Sequence, residues 1–157
     1  PLADANDMET FDRLDPGAAG AGDVTVKLPW ESRTRSRQRV RLDDGAEALL
    51  LLPRGTVLRA GDVLRSDSGR CLRILAATEA VSTAHAEQGA MLLRAAYHLG
   101  NRHVAVEIGA GWLRYLHDHV LDDMLRGLGL RVVVEQAPFE PEAGAYAPGH
   151  GYGHGHA

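Results

Sequence analysis

Histidine is the residue type through which this chain can do chemistry, and its placement is uneven. The sequence holds eight histidines in 157 residues, and the first is His85. The others are His98, His103, His117, His119, His150, His154 and His156. Imidazole is a favoured ligand of nickel, zinc and copper. The C-terminal stretch Gly149-His150-Gly151-Tyr152-Gly153-His154-Gly155-His156 intersperses histidine with glycine and a tyrosine. Glycine there leaves the backbone free to wrap an ion. Composition and spacing thus point to a divalent transition metal, with His150, His154 and His156 as candidate ligands, and do not choose among metals.

The remaining histidines read less simply. In His117-Asp118-His119, two imidazoles lie two residues apart. On a strand both would face one side; in a helix they would diverge by about 200°. Asp118 is a candidate helix cap, so two surface histidines flanking a capping aspartate are an equally simple reading. His98 falls at the expected end of a helix, where the dipole favours a cation as readily as a metal. His103 is expected to open a strand, and taken singly it resembles any satisfied surface or core histidine. His85 has no partner pattern. Cys71, the single cysteine, cannot form an intrachain disulfide; its apolar surroundings predict burial, in keeping with a reducing compartment.

These side chains must be held by an α+β framework. Residues 1–22 are polar and small and end in a Gly/Ala-rich run, which predicts a mobile lead-in. Residues 23–77 read as five short strands joined by turns, a small all-β module. Asp43-Asp44-Gly45 between an alternating segment and the apolar run at 47–52 predicts a hairpin. From about residue 78 the period changes. A strand at 79–83, a helix over 86–99, a strand over 103–108, a strand at 112–116, a helix over 118–128 capped by Asp118, and a strand at 131–135 follow in order. This is β-α-β-β-α-β, the ferredoxin-like pattern, over residues 78–136. Residues 137–157 lack periodicity and predict a flexible tail.

Composition limits the functional classes. The net charge of −4 is too mild to imply nucleic-acid or membrane partners. No apolar run approaches the ~18 residues of a membrane helix, and the N-terminus lacks the pattern of a signal peptide, so a cytoplasmic protein is expected. Arginines at 33, 35, 37, 39 and 41 recur every second residue. On a strand they would share one face, either a solvated face or one suited to an acidic protein partner, with Arg33, Arg35 and Arg37 as its candidates. His-x-His also occurs in metal-dependent hydrolases built on barrels, but this chain is too short for a barrel of ~250 residues. It shows no clustered general base beside the histidines, so no catalytic residue is assigned and an enzyme is not expected.

Tyr97-His98-Leu99-Gly100-Asn101-Arg102-His103-Val104 resembles the hallmark segment of the UreE family of urease accessory nickel chaperones. His117-Asp118-His119-Val120-Leu121-Asp122-Asp123-Met124-Leu125 and Pro138-Phe139-Glu140-Pro141-Glu142-Ala143-Gly144-Ala145-Tyr146 resemble its following segments. Leu52-Pro53-Arg54-Gly55-Thr56 and Leu58-Arg59-Ala60-Gly61-Asp62-Val63-Leu64 are similar to its N-terminal domain. The resemblance spans about residues 23–156 in consistent order. It implies a homodimer in which His103 of both copies binds one interfacial Ni(II) as cargo, and Zn(II) or Cu(II) would compete. Tail histidines would assist, and His117 and His119 would be peripheral ligands. It also implies delivery of nickel to the urease accessory GTPase and apo-urease. The tail has only three histidines, fewer than the long runs of some members, and residues 1–22 have no recognised counterpart.

Overall fold

A computed structural model describes residues 8–18 and 23–145. The described residues divide into two compact units: those up to Val81 together with Glu135–Glu140, and Ser82–Val134 together with 141–145.

The first unit is a six-stranded mixed sheet. Its strands are β1 (Glu9–Leu14), β2 (Val24–Leu28), β3 (Arg37–Arg41), β4 (Glu47–Leu51), β5 (Val63–Ser66) and β6 (Cys71–Ala76), with one short helix, α1 (Trp30–Arg33), between β2 and β3. The order across the sheet is β2-β6-β5-β1-β4-β3. The five strands expected between residues 23 and 77 are present. The Asp43-Asp44-Gly45 turn joins β3 to β4 antiparallel, with Gly45 at φ 91°, a left-handed conformation that glycine adopts without a Cβ clash.

The expectation of a mobile lead-in over 1–22 is corrected at residues 9–14; 1–7 and 19–22 lie outside the described residues. Residues 9–14 form β1, which pairs parallel with β4 and antiparallel with β5. It is an interior strand that joins β2-β6-β5 to β4-β3. Its apolar anchor, Phe11, is fully buried beside Leu50 and Leu64 in the core. The segment looked unstructured because its flanks are polar and only one large side chain points inward; the partners that order it lie about 40–55 residues away.

Glu9 adds a polar lock to β1. Its Oε1 accepts hydrogen bonds from the hydroxyls of Ser66 (2.9 Å) and Ser68 (2.8 Å), and its Oε2 accepts one from Arg70 (2.8 Å). Burial pushes the carboxyl up, but these hydrogen bonds and the charge of Arg70 outweigh it and hold Glu9 below the ordinary glutamate value. A carboxylate depressed in the native state stabilises at neutral pH, and the contribution is lost as pH falls through the native value. Glu9→Gln is therefore expected to cost about 1 kcal/mol at neutral pH and to flatten the acid decline of stability below about pH 4.5. Urea unfolding at pH 7 and pH 3 checks this; an equal loss at both would show that charge plays no part.

The second unit has the order β7 (Thr78–His85), α2 (Gly89–Asn101), β8 (Glu107–Gly109), β9 (Trp112–Leu116), α3 (His119–Gly127) and β10 (Arg131–Pro138). Its sheet order is β10-β7-β9-β8, so the two βα units interleave as in a ferredoxin-like fold. Leu99, Leu113, Tyr115 and Leu125 fill its core. Domain edges were expected at 77/78 and 136/137, whereas Thr78–Val81 and Glu135–Glu140 group with the first unit. Side-chain bonds account for this: Glu79 accepts from the backbone N–H of Trp30 at 2.9 Å, and Arg33 binds both Phe139 and Glu140.

Candidate metal centre

His103 does not open a strand. Helix α2 runs through Asn101, and His103 follows its C-cap, Arg102, with φ 55°. Among the described residues it is the one non-glycine with positive φ. The N–H of His103 donates to the carbonyl of Gly100 (3.0 Å), and that of Val104 donates to Leu99 (3.1 Å). These are the two bonds of a Schellman motif, and Val104 packs on the cluster containing Leu99 to complete it. The position is ordinarily glycine, since the left-handed conformation costs an L-residue roughly 1–2 kcal/mol. Here it carries an exposed imidazole. The strand that was expected over 103–108 is reduced to Glu107–Gly109, because the chain uses 103–104 to close the helix.

Helix α2, which ends at His103's turn, exposes large apolar side chains. Leu93 and Tyr97, one helical turn apart on α2, are 74% and 65% exposed. The Tyr97 ring meets His98 edge-on with centroids 5.4 Å apart. Gly100 is also exposed, and a Cβ built on it would meet nothing within 4 Å. A helical glycine costs about 1 kcal/mol relative to alanine, and neither φ nor crowding within this chain calls for one here.

His117 and His119 are separated in role. Asp118 caps α3 as expected, its Oδ1 accepting from Val120 N (2.8 Å) and Leu121 N (3.2 Å). His119 is the first helical residue and is exposed. The ring of His117 instead turns Nδ1 inward, 3.1 Å from Asp122 Oδ2 and 3.1 Å from Ser82 Oγ. Asp122 is 2% exposed, and its other oxygen accepts from the hydroxyl of the fully buried Tyr115 at 2.6 Å. Burial first, and then this hydrogen bond, push the Tyr115 hydroxyl well above its ordinary value, so it remains a donor. Ser82, Tyr115 and Asp122 were not singled out from sequence. The available signal was Asp122 itself, a carboxylate placed between Leu121 and Leu125 on the buried side of an amphipathic helix.

Among the described residues, no three His, Cys, Asp or Glu side chains gather into a ready-made site. His150, His154 and His156 lie outside the described residues.

The arginine stretch differs most from expectation. Arg33 is not on a strand and is not a surface residue: it ends α1 and is fully buried. Its Nε donates to Leu28 O at 3.1 Å, and its two terminal nitrogens donate to Phe139 O and the Glu140 carboxylate. Burial pulls the guanidinium below its ordinary value while Glu140 and Glu79 pull it back. Pro29 sits at the N-cap of α1 and starts the turn that breaks the two-residue period. Arg35 is exposed and bonded to Glu31 at 2.7 Å. Only Arg37, Arg39 and Arg41 share the exposed face of β3, an edge strand, where charge also discourages edge-to-edge pairing.

Residues 10–77 match the model of the UreE urease accessory protein N-terminal domain, and residues 79–157 match that of its C-terminal domain. The chain belongs to the UreE family of urease accessory proteins. It is 60% identical over 139 residues to the urease accessory protein UreE of Alkalilimnicola ehrlichii, covering 88% of this chain and 85% of that one. It is 63% identical over 123 residues to that of Pseudomonas putida strain W619, covering 78% and 76%. It is 53% identical over 134 residues to that of Vibrio parahaemolyticus, covering 85% and 84%. UreE membership assigns the chain an accessory role in urease maturation and not a catalytic one. It also matches the β1 segment from residue 10, which the resemblance read from sequence did not reach. No helix among the described residues is long and apolar enough to cross a membrane.

Proposed function

We propose that the chain is a cytoplasmic nickel carrier that works as a homodimer and hands Ni(II) to the urease accessory GTPase and apo-urease. The observation that carries this reading is His103. A solvent-facing imidazole is held in a left-handed position that a glycine would occupy more cheaply, at the end of a helix whose outer face is apolar. Backbone strain maintained at an exposed polar residue supports a functional role for that residue.

One imidazole is too few to hold an ion. A two-fold axis beside Gly100 would bring two copies of His103 together, because a C2 interface presents the same patch twice. Gly100 then has a purpose: its missing side chain admits the partner helix. His150, His154 and His156 would complete the shell from their tethers, at an effective concentration on the order of millimolar. Such a shell captures an ion and still opens for transfer. Simple imidazole sites bind copper more tightly than nickel and accept zinc, so selectivity would come from metal supply and partner. The exposed Arg35 and Arg37, with Arg39 and Arg41, are the arginines available to an acidic partner.

Gly100→Leu tests the arrangement. Leucine is a better helix former than glycine by up to about 1 kcal/mol, so the isolated monomer is expected to be no less stable. Overpacking the interface by about 1–3 kcal/mol would raise the dimer dissociation constant roughly 5- to 150-fold. Analytical ultracentrifugation reads that shift, and nickel calorimetry on the same samples is expected to lose the shared event. An unchanged dimer would place the interface elsewhere.

A further inference from the structure

Resting on that carrier reading, we propose that Asp122 is a positioning residue for metal capture at His117: it holds the His117 ring as the Nδ1–H tautomer and leaves Nε2 bare and outward as the coordinating atom.

The argument is one of donors and acceptors. An ionised carboxylate only accepts hydrogen bonds. Asp122 Oδ1 already accepts from Tyr115, so Oδ2, 3.1 Å from His117 Nδ1, requires a proton on that nitrogen. Ser82, fully buried, contacts both the His117 ring and the Tyr115 hydroxyl. A proton path of fixed direction results: Ser82 donates to Tyr115, Tyr115 donates to Asp122, and His117 donates to Asp122. Every group on the buried side of the ring is thereby engaged. Among the described residues, Nε2 has no partner, and the His117 side chain is 38% exposed. A neutral imidazole with one protonated nitrogen facing a buried carboxylate and the other facing solvent is the arrangement that orients and strengthens a metal-ligating histidine. His119 opens α3 as an exposed residue with no such carboxylate behind it among the described residues, and is the weaker of the two imidazoles by this criterion.

The test uses the full chain and Ni(II) alone. Two-bond 1H–15N spectra of the metal-free wild type are expected to show His117 protonated at Nδ1; a ring protonated at Nε2 overturns the proposal before any variant is made. Asp122→Asn keeps an oxygen for Tyr115 but turns an amide N–H toward Nδ1, so the ring is expected to switch to Nε2–H. The nickel event that His117→Ala removes should then weaken by about 10- to 100-fold, and the double variant should match His117→Ala. Three results with the variants also overturn the proposal: an unchanged tautomer and affinity in Asp122→Asn, a further loss in the double variant, or no nickel event lost in His117→Ala. His103→Ala in the same calorimetry separates these from failure of the carrier reading, since it should delete the interfacial event and leave the His117 event in place.

Discussion

His103→Gly is expected to remove the interfacial nickel event and, at the same time, to make the metal-free protein more stable. The two effects arise at one residue from two parts of it, the imidazole that would bind the ion and the Cβ that strains the backbone. The histidine occupies the left-handed residue after α2 at φ 55°, where an L-residue is strained by roughly 1–2 kcal/mol. Glycine relieves that strain but gains about 0.4–1 kcal/mol of disorder in the unfolded chain. Histidine also tolerates the left-handed region better than most residues, which trims the gain. The balance favours the variant by about 0.5–1 kcal/mol, because both bonds of the Schellman motif come from backbone N–H groups that glycine retains. His103→Ala should lose the same nickel event without gaining stability, since it keeps a Cβ in the strained position. Urea unfolding and nickel calorimetry on the two variants decide the matter. A glycine variant that is less stable than wild type would mean that the imidazole makes a stabilising contact within the chain; a nickel event that survives in both would move the shared site away from His103. Natural proteins commonly hold strain of this kind where function needs it.

Arg33→Ala is expected to cost about 3–5 kcal/mol, the range for breaking a buried ion pair from one side. The guanidinium is fully buried and serves three acceptors at once, Leu28 O, Phe139 O and Glu140. Removing it takes a donor from Phe139 O and from Leu28 O, of which Leu28 O retains the N–H of Ala77 at 3.0 Å, and takes a buried charge from Glu140, which retains Arg59 at 3.5 Å. It also takes away one of two cations over Trp30, each 5.3 Å from the ring centroid, and leaves Arg59 as the other; that ring meets Phe139 edge-on at 6.2 Å. Arg33→Met restores apolar volume without the donors and should lose less, about 1–3 kcal/mol. Urea unfolding followed by tryptophan emission reads both, because Trp30 lies against the lost contacts. A loss under about 1 kcal/mol in Arg33→Ala would show that water satisfies these acceptors and would return Arg33 to the set of available surface arginines.

Much of the framework was legible from residue order. The β-α-β-β-α-β series, the hairpin at Asp43-Asp44-Gly45 and the cap at Asp118 depend on periodicity, turn chemistry and near neighbours, which a linear reading contains. The arginine stretch misled for the same reason. Its two-residue period is genuine at Arg37, Arg39 and Arg41, but extending it to Arg33 overlooked Pro29 and the single turn of α1 that it begins. The candidate site was half legible. Histidine placement pointed to metal binding as an expectation, and the family resemblance ranked His103 first, but its backbone conformation and the carboxylate behind His117 could not be read.

Residue order alone carries the two-part layout and most of the helix and strand sequence, since each follows from local pattern. Tertiary structure decided what depends on distant partners. β1 is a strand because β4 and β5 flank it from about 40–55 residues away. Arg33 is interior because Phe139 and Glu140 return to it across more than 100 residues. His117 presents one chosen nitrogen because Ser82, 35 residues earlier, and the buried Asp122 close around the other.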